Sequence, residues 1–138
     1  ETFRWLERYR WLELGGAATA AVFRGDASTS PADSLAFLER TNLPVWAFYD
    51  FDPAGLGMVL RLPRVDRLIL PNLKWLQAQA RLRRRTDLYV DSLAQWGNTL
   101  NESSRPDVAA AWRAMQSLRC GLPQEWMESA PSMELAWA

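Results

Sequence analysis

The chain predicts an α/β fold built on a parallel sheet, and three observations carry that prediction. Helical segments and short apolar strands alternate through residue 72. The run Val45 to Tyr49 holds no polar side chain but tyrosine, as a strand buried on both faces requires. It then ends in Asp50-Phe51-Asp52-Pro53-Ala54-Gly55, a turn followed by helical sequence. In open α/β sheets ligands bind beyond the carboxyl ends of the strands, so this turn is where a site is expected. A chain of 138 residues fits one domain and buries about two thirds of the surface its unfolded form exposes.

The elements follow in order. Over residues 1–14, Trp5, Tyr9 and Leu12 recur at helical spacing with Phe3 and Leu6 beside them, and Gly15-Gly16 supplies the stop. Residues 17–23 read as a short buried strand, and Gly25-Asp26 with residues 28–30 as the loop after it. Ser30 as N-cap and Pro31 in the first turn open a helix to about Arg40. A strand over 44–49 is followed by a helix from Pro53 to before Pro63. A short strand over 66–70 is closed by Pro71-Asn72. Opening on a helix suggests a first strand upstream. Beyond residue 73 the pattern is helical, over 73–85, 91–97, 106–119 and 122–129, with 97–106 as a flexible connection. The organisation expected is therefore an α/β core over 1–72 and a helical extension over 73–138 packed on it.

The absence of histidine excludes Ser-His-Asp and Cys-His nucleophile activation, histidine bases and histidine zinc sites within this chain. Any metal must be held by oxygen, which suits Mg²⁺ or Mn²⁺. The single cysteine, Cys120, forms no internal bridge and reads as a small buried residue. No signal sequence or membrane-spanning run is visible, so a cytoplasmic location without membrane insertion is the default expectation. Sixteen basic and sixteen acidic side chains cancel, so partner arguments rest on local clusters. Eight tryptophans exceed what a core of this size needs and point to contacts with a neighbouring domain or subunit.

Asp50 and Asp52 stand two apart, so in extended geometry both carboxylates face one side and can share a cation or its water shell. Pro53 opens the next helix, and Gly55 and Gly57 keep its first turn slim enough for a phosphate to approach. The alternative is a solvated strand end with a helix cap. A calcium loop starting at Asp50 is excluded, because Ala54 and Arg61 stand where the fifth and twelfth ligands belong. A haloacid-dehalogenase-type phosphatase wants threonine or valine at Ala54, and DxD glycosyltransferases need a larger nucleotide-binding domain.

The order of these features resembles the Toprim domain over residues 1–72. Phe23-Arg24-Gly25-Asp26 resembles its glycine turn and Tyr49-Asp50-Phe51-Asp52-Pro53-Ala54-Gly55 its acidic turn. The opening Glu1-Thr2-Phe3 is similar to the end of an E-N-x-x-T-F segment. That places the resemblance in the branch of the topoisomerase VI A subunit, its meiotic relatives and the Wadjet anti-plasmid nuclease subunit. The resemblance implies a Rossmann-like parallel sheet flanked by helices and Mg²⁺- or Mn²⁺-dependent cleavage or nicking of DNA, in anti-plasmid or phage defence. Asp50 and Asp52 would be metal ligands, and the catalytic glutamate would lie upstream or be Glu1 itself. A homodimer or a condensin-like ATPase complex is the partner it implies. Gln124-Glu125 is similar to a C-terminal Gln-Glu of the Wadjet relatives, which makes Glu125 an auxiliary site residue beside Gly25, Asp26 and Gly55.

Arg81, Arg83, Arg84 and Arg85 form the densest positive cluster, suited to a DNA backbone, with Arg61, Arg64 and Arg67 as an extension. The competing reading is a solvated helix end favoured by the macrodipole. Trp112, Met115 and Leu118 read as packing, and Trp126 and Trp137 as docking residues of the tail. The expectation is thus a metal-dependent DNA nuclease with water as nucleophile. The alternatives are a non-catalytic Toprim-like module binding DNA or protein, and a phosphatase acting on a small phosphoester.

Overall fold

Two parallel strands joined by a crossover helix form the centre of the molecule. In the computed structural model, which describes residues 2–12, 22 and 31–131, β1 (Trp46–Ala47) pairs with β2 (Arg67–Leu68) through α2 (Pro53–Arg61). Trp46 stands opposite Arg67 and Ala47 opposite Leu68. The described residues make a mixed α/β fold with five α-helices and this one two-stranded sheet. The others are α1 (Ala32–Arg40), α3 (Leu73–Arg83), α4 (Thr86–Asn101) and α5 (Pro106–Leu118).

Local chemistry sets the helix boundaries. Asp52 caps α2 with Pro53 in its first turn, and Asn72 caps α3 by accepting from the amides of Lys74 and Trp75. Pro106 opens α5. The outer edge of β2 is closed by the start of α5. Asp107 Oδ2 accepts from Leu68 N at 2.9 Å, and Arg105 donates to the Val65 carbonyl at 2.7 Å while pairing with Asp107. Such cover removes the unpaired backbone groups that make sheet edges adhesive.

The core lies between the sheet and the helices. α2 packs along α4 and against α5, and α3 packs on α5. Phe51, Leu56, Leu76, Val108, Met115, Leu122 and Met127 are fully buried, so residues on both sides of position 72 contribute to one apolar cluster. A Cβ on Gly57 would fall 2.1 Å from the Trp96 indole, so α2 and α4 approach closely only because residue 57 has no side chain.

Several expectations change. The strand over 44–49 shortens to two paired residues, because the chain beyond Ala47 leaves β2 for another partner. The helix expected over 91–97 runs from Thr86 to Asn101, and Gly97 lies inside it rather than in a flexible connection. The first segment is a short 3-10 helix, Thr2–Arg8, broken at Trp5. Trp5 is exposed, while Tyr9 and Trp11 are buried. The segment at 122–129 is a single 3-10 turn, Gln124–Met127. α1 begins at Ala32 with Pro31 at its N-cap. Of the buried strand expected over 17–23 only Val22 is described, and it is exposed and outside any strand; the loop at Gly25-Asp26, Ser30, Glu1 and Trp137 lie outside the described residues.

Candidate functional site

The acid turn is fixed from two directions. On one side Asp52, extended at φ −148°, turns its carboxylate back onto α2, and its Oδ1 accepts from Gly55 N at 2.6 Å. On the other, Gln124 holds the strand end. Its backbone amide donates to Asp50 Oδ1 at 2.7 Å and its side-chain Nε2 donates to the Phe48 carbonyl at 2.7 Å. Between the two acids Phe51 pairs antiparallel with Leu122, donating to the Leu122 carbonyl at 2.9 Å and accepting in return at 2.9 Å. The segment after α5 therefore replaces β2 as the partner of this stretch.

Close packing leaves little room around the turn. A Cβ on Gly55 would fall 2.1 Å from the Asp50 carbonyl oxygen, and one on Gly121 would fall 2.8 Å from that of Phe51. The directions a side chain would take at Gly55 and Gly57 are thus occupied by Asp50 backbone and by Trp96. Both glycines are dictated by protein packing.

Burial sets the electrostatics. Asp52 is 8% exposed, and its pKa is pushed up to about 6, mainly by desolvation and further by the Asp50 charge, against the stabilising amides of Gly55 and Ala54. Asp50 is also raised above the ordinary carboxylate value. Desolvation is the chief cause, the Gln124 amide opposes it, and the Glu125 charge adds to it. Glu125 itself is exposed beside this pair. Among the described residues no basic side chain pairs with Asp50 or Asp52, whereas Arg64, Arg85 and Arg105 each have a carboxylate partner. The turn therefore concentrates negative charge that no described basic side chain offsets.

Two carboxylates on one turn with uncompensated charge suit a hard divalent ion, which typically takes one or two carboxylates and completes its shell with water and substrate phosphate. Asp50 and Asp52 are the residues that could hold it. Among the described residues no three histidine, cysteine or acidic side chains converge as a metal-holding group. Glu125 is coupled to Asp50 by charge, and Glu1, Gly25 and Asp26 fall outside the described residues.

The arginine cluster divides. Arg85 donates to both oxygens of Asp87, at 2.5 to 3.0 Å, and its carbonyl accepts from Gly121 N at 3.0 Å. Arg81, Arg83 and Arg84 are exposed. Arg83 and Arg85 lie over the Trp126 ring, 5.2 and 5.5 Å from its centroid. Arg61 lies over Trp96, Arg67 over Trp46, and Arg64 donates to the Thr41 carbonyl, so each of these three is engaged locally. Trp112 and Met115 are buried, as their spacing predicts, and Cys120 is a buried free thiol. Sequence reasoning missed Gln124 as the clamp of the acid turn. Its partners are more than seventy residues away, and the Gln124-Glu125 resemblance marked the segment without indicating this role.

A family model described as Domain of unknown function (DUF7281) matches residues 2–135, and the chain belongs to that family. No curated protein and no solved structure matches it. No described helix is long and apolar enough to cross a membrane.

Proposed function

We propose that this DUF7281 domain is a Toprim-like, metal-dependent enzyme that cleaves or nicks DNA, with Asp50 and Asp52 as the ligands of Mg²⁺ or Mn²⁺. The observation that carries the reading is the buried Asp52 carboxylate with the half-buried Asp50 beside it, neither paired with a basic side chain among the described residues, after a parallel strand and at the start of its crossover helix. The β1-α2-β2 unit supports a Rossmann-like core of the Toprim kind. A bound Mg²⁺ or Mn²⁺ supplies polarisation of the scissile phosphate and stabilisation of negative charge on the leaving oxygen.

The chain's own residues supply position. Gln124 fixes Asp50 through its backbone amide, and Gly55 fixes Asp52, so both carboxylates are held before a substrate arrives. The attacking group is water. Tyr89 is buried and stacked on Trp112, with centroids 6.0 Å apart, Tyr9 is buried, and Tyr49 is half-buried directly before Asp50; none of the three belongs to a separate tyrosine-bearing domain of the kind that supplies the nucleophile in topoisomerases. Glu125, beside Asp50, or Glu1 supplies the further carboxylate that activates water or completes the ligand set. Action within a homodimer or a condensin-like ATPase complex, in defence against plasmids or phage, belongs to the same proposal.

A second reading is favoured by one observation: among the described residues no third acidic ligand converges on the pair. In that reading the domain is a Toprim-like module that binds DNA or protein without catalysis, and Asp52 serves as a helix cap. Nicking of supercoiled circular DNA in Mg²⁺ and Mn²⁺ separates the two. Metal-dependent nicking by the wild type, lost in the Asp50→Asn, Asp52→Asn double variant, supports the nuclease. Folded proteins that leave DNA intact support the binding module.

A further inference from the structure

The ends of α3 and α5 meet. α3 runs into Arg84 and Arg85, α5 into Arg119, Cys120 and Gly121, and the two exits join as an antiparallel bridge between Arg85 and Gly121. Arg119, 34 positions beyond Arg85, thereby stands two residues from this bridge, and the sequence cluster did not include it. Leu122, the next residue after the bridge, pairs with Phe51, and a Cβ on Gly121 would fall 3.3 Å from that of Asp52. One strand of backbone therefore separates the arginine-bearing helix ends from the acid turn.

Both caps are unusual. Arg84 and Arg119 adopt left-handed backbone, with φ of 53° and 52°, at the position where helices commonly end in glycine or asparagine. An arginine there is strained, and the macrodipole, which favours cations anywhere in the last turn, does not require it at that residue. Among the described residues Arg81, Arg83, Arg84 and Arg119 form no ion pair with a carboxylate. Arg85, in contrast, is neutralised by Asp87, and its main chain holds the bridge. Trp126 lies under Arg83 and fixes it on the face shared with the 121–126 segment.

We propose that the joined C-terminal ends of α3 and α5 are a docking surface for a nucleic-acid backbone, with Arg81, Arg83, Arg84 and Arg119 contacting phosphates, and with Arg85 as a structural member only. The surface seats the strand beside Asp50 and Asp52, and in this respect it rests on the nuclease reading above. A nucleic acid fits better than an acidic protein. Guanidiniums without a carboxylate partner match phosphate oxygens in forked geometry, and a divalent ion held at the neighbouring acid turn, as the nuclease reading has it, would take a phosphate of the same strand.

The test separates strain from binding. Arg84→Gly and Arg119→Gly relieve the left-handed positions, so each variant melts roughly 3 °C higher than wild type. Binding of a fluorescein-labelled 24-base-pair duplex is followed by anisotropy in EDTA, without cleavage, at several salt concentrations. The double variant should bind roughly tenfold more weakly, and its salt slope should fall by about one unit per arginine removed. Arg40→Ala, on α1, serves as the charge control and should leave binding within error. No binding by wild type, unchanged affinity in the double variant, or equal displacement of the duplex by polyglutamate overturns the proposal. Loss of binding in the variants together with an absence of nicking by wild type overturns the nuclease reading and leaves this surface supported.

Discussion

Replacing Asp52 by asparagine should make the protein more stable at neutral pH. The carboxylate ionises near pH 6 in the folded chain against 3.8 when unfolded, so about two pKa units oppose folding of the charged form. At about 1.4 kcal/mol per unit this is at most about 3 kcal/mol. Asparagine keeps the cap, because its Oδ1 can still accept from Gly55 N, and the stronger bond to the charged acceptor is already contained in the net shift. The gain at pH 7 is therefore at most about 3 kcal/mol, or roughly 9 °C in a domain of this size. The sign with pH is fixed by proton uptake. Below pH 4 the folded and unfolded forms both hold the proton, so no penalty exists. Between about pH 4 and 6 only the folded form holds it, and wild-type stability falls as pH rises. Above pH 6 the penalty is complete. Thermal unfolding of wild type and Asp52→Asn at pH 4, 5, 6, 7 and 8 should show curves that converge at pH 4 and separate by pH 7. A variant no more stable than wild type at pH 7, or a gap independent of pH, would refute the claim that a desolvated charge is held at this turn.

Other consequences are as specific. Because Asp52 titrates near pH 6, Mn²⁺ affinity at the turn should fall about tenfold between pH 7 and pH 5, measurable by calorimetry; a flat profile would exclude Asp52 as a ligand. Gly57→Ala places a methyl group inside the Trp96 indole and should cost about 3 kcal/mol or more in chemical denaturation, with quenched or shifted tryptophan emission. Asp107→Ala leaves Leu68 N and Arg105 without their partner and should cost about 2 kcal/mol. Burial raises the Asp107 pKa, but the hydrogen bonds from Arg105 and the Leu68 and Val108 amides outweigh it and hold the value below the ordinary range. The cost of Asp107→Ala should therefore persist at pH 5 to 7 and close as pH falls below the usual carboxylate value.

Sequence periodicity revealed the parts of the fold that local chemistry controls. Proline stands at the start of α2, α3 and α5, with an aspartate or asparagine cap on the first two, so their limits were legible to within a few residues. Two parallel strands around α2 were legible from apolar runs ending in turn residues. Their length was not, because Phe51 leaves β2 for Leu122, a partner 71 residues away that no local pattern announces. α4 was cut short at Gly97, since glycine reads as a stop, yet here it lies within a helix held by Trp96 and Leu100 on the core. The first segment misled because its buried aromatics are Tyr9 and Trp11. Trp11 Nε1 donates to the Met127 carbonyl at 2.7 Å and its ring meets Phe48 edge-on, contacts made with residues distant in sequence. The acid pair itself was legible from two-residue spacing after a buried strand. Of what surrounds it, Glu125 was singled out through the Gln124-Glu125 resemblance, whereas the clamp by Gln124 and the close approach of Gly121 arise only through the return of the chain after α5.

Binding of Mn²⁺ to the wild type and to the Asp50→Asn, Asp52→Asn variant, titrated calorimetrically at pH 7, tests the divalent-cation site most directly. The double variant is expected to be at least as stable as wild type, so a loss of binding cannot be ascribed to unfolding. One or two saturating equivalents in wild type and none in the variant is the predicted result. The same isotherm in both proteins, or no binding by either, would contradict the account.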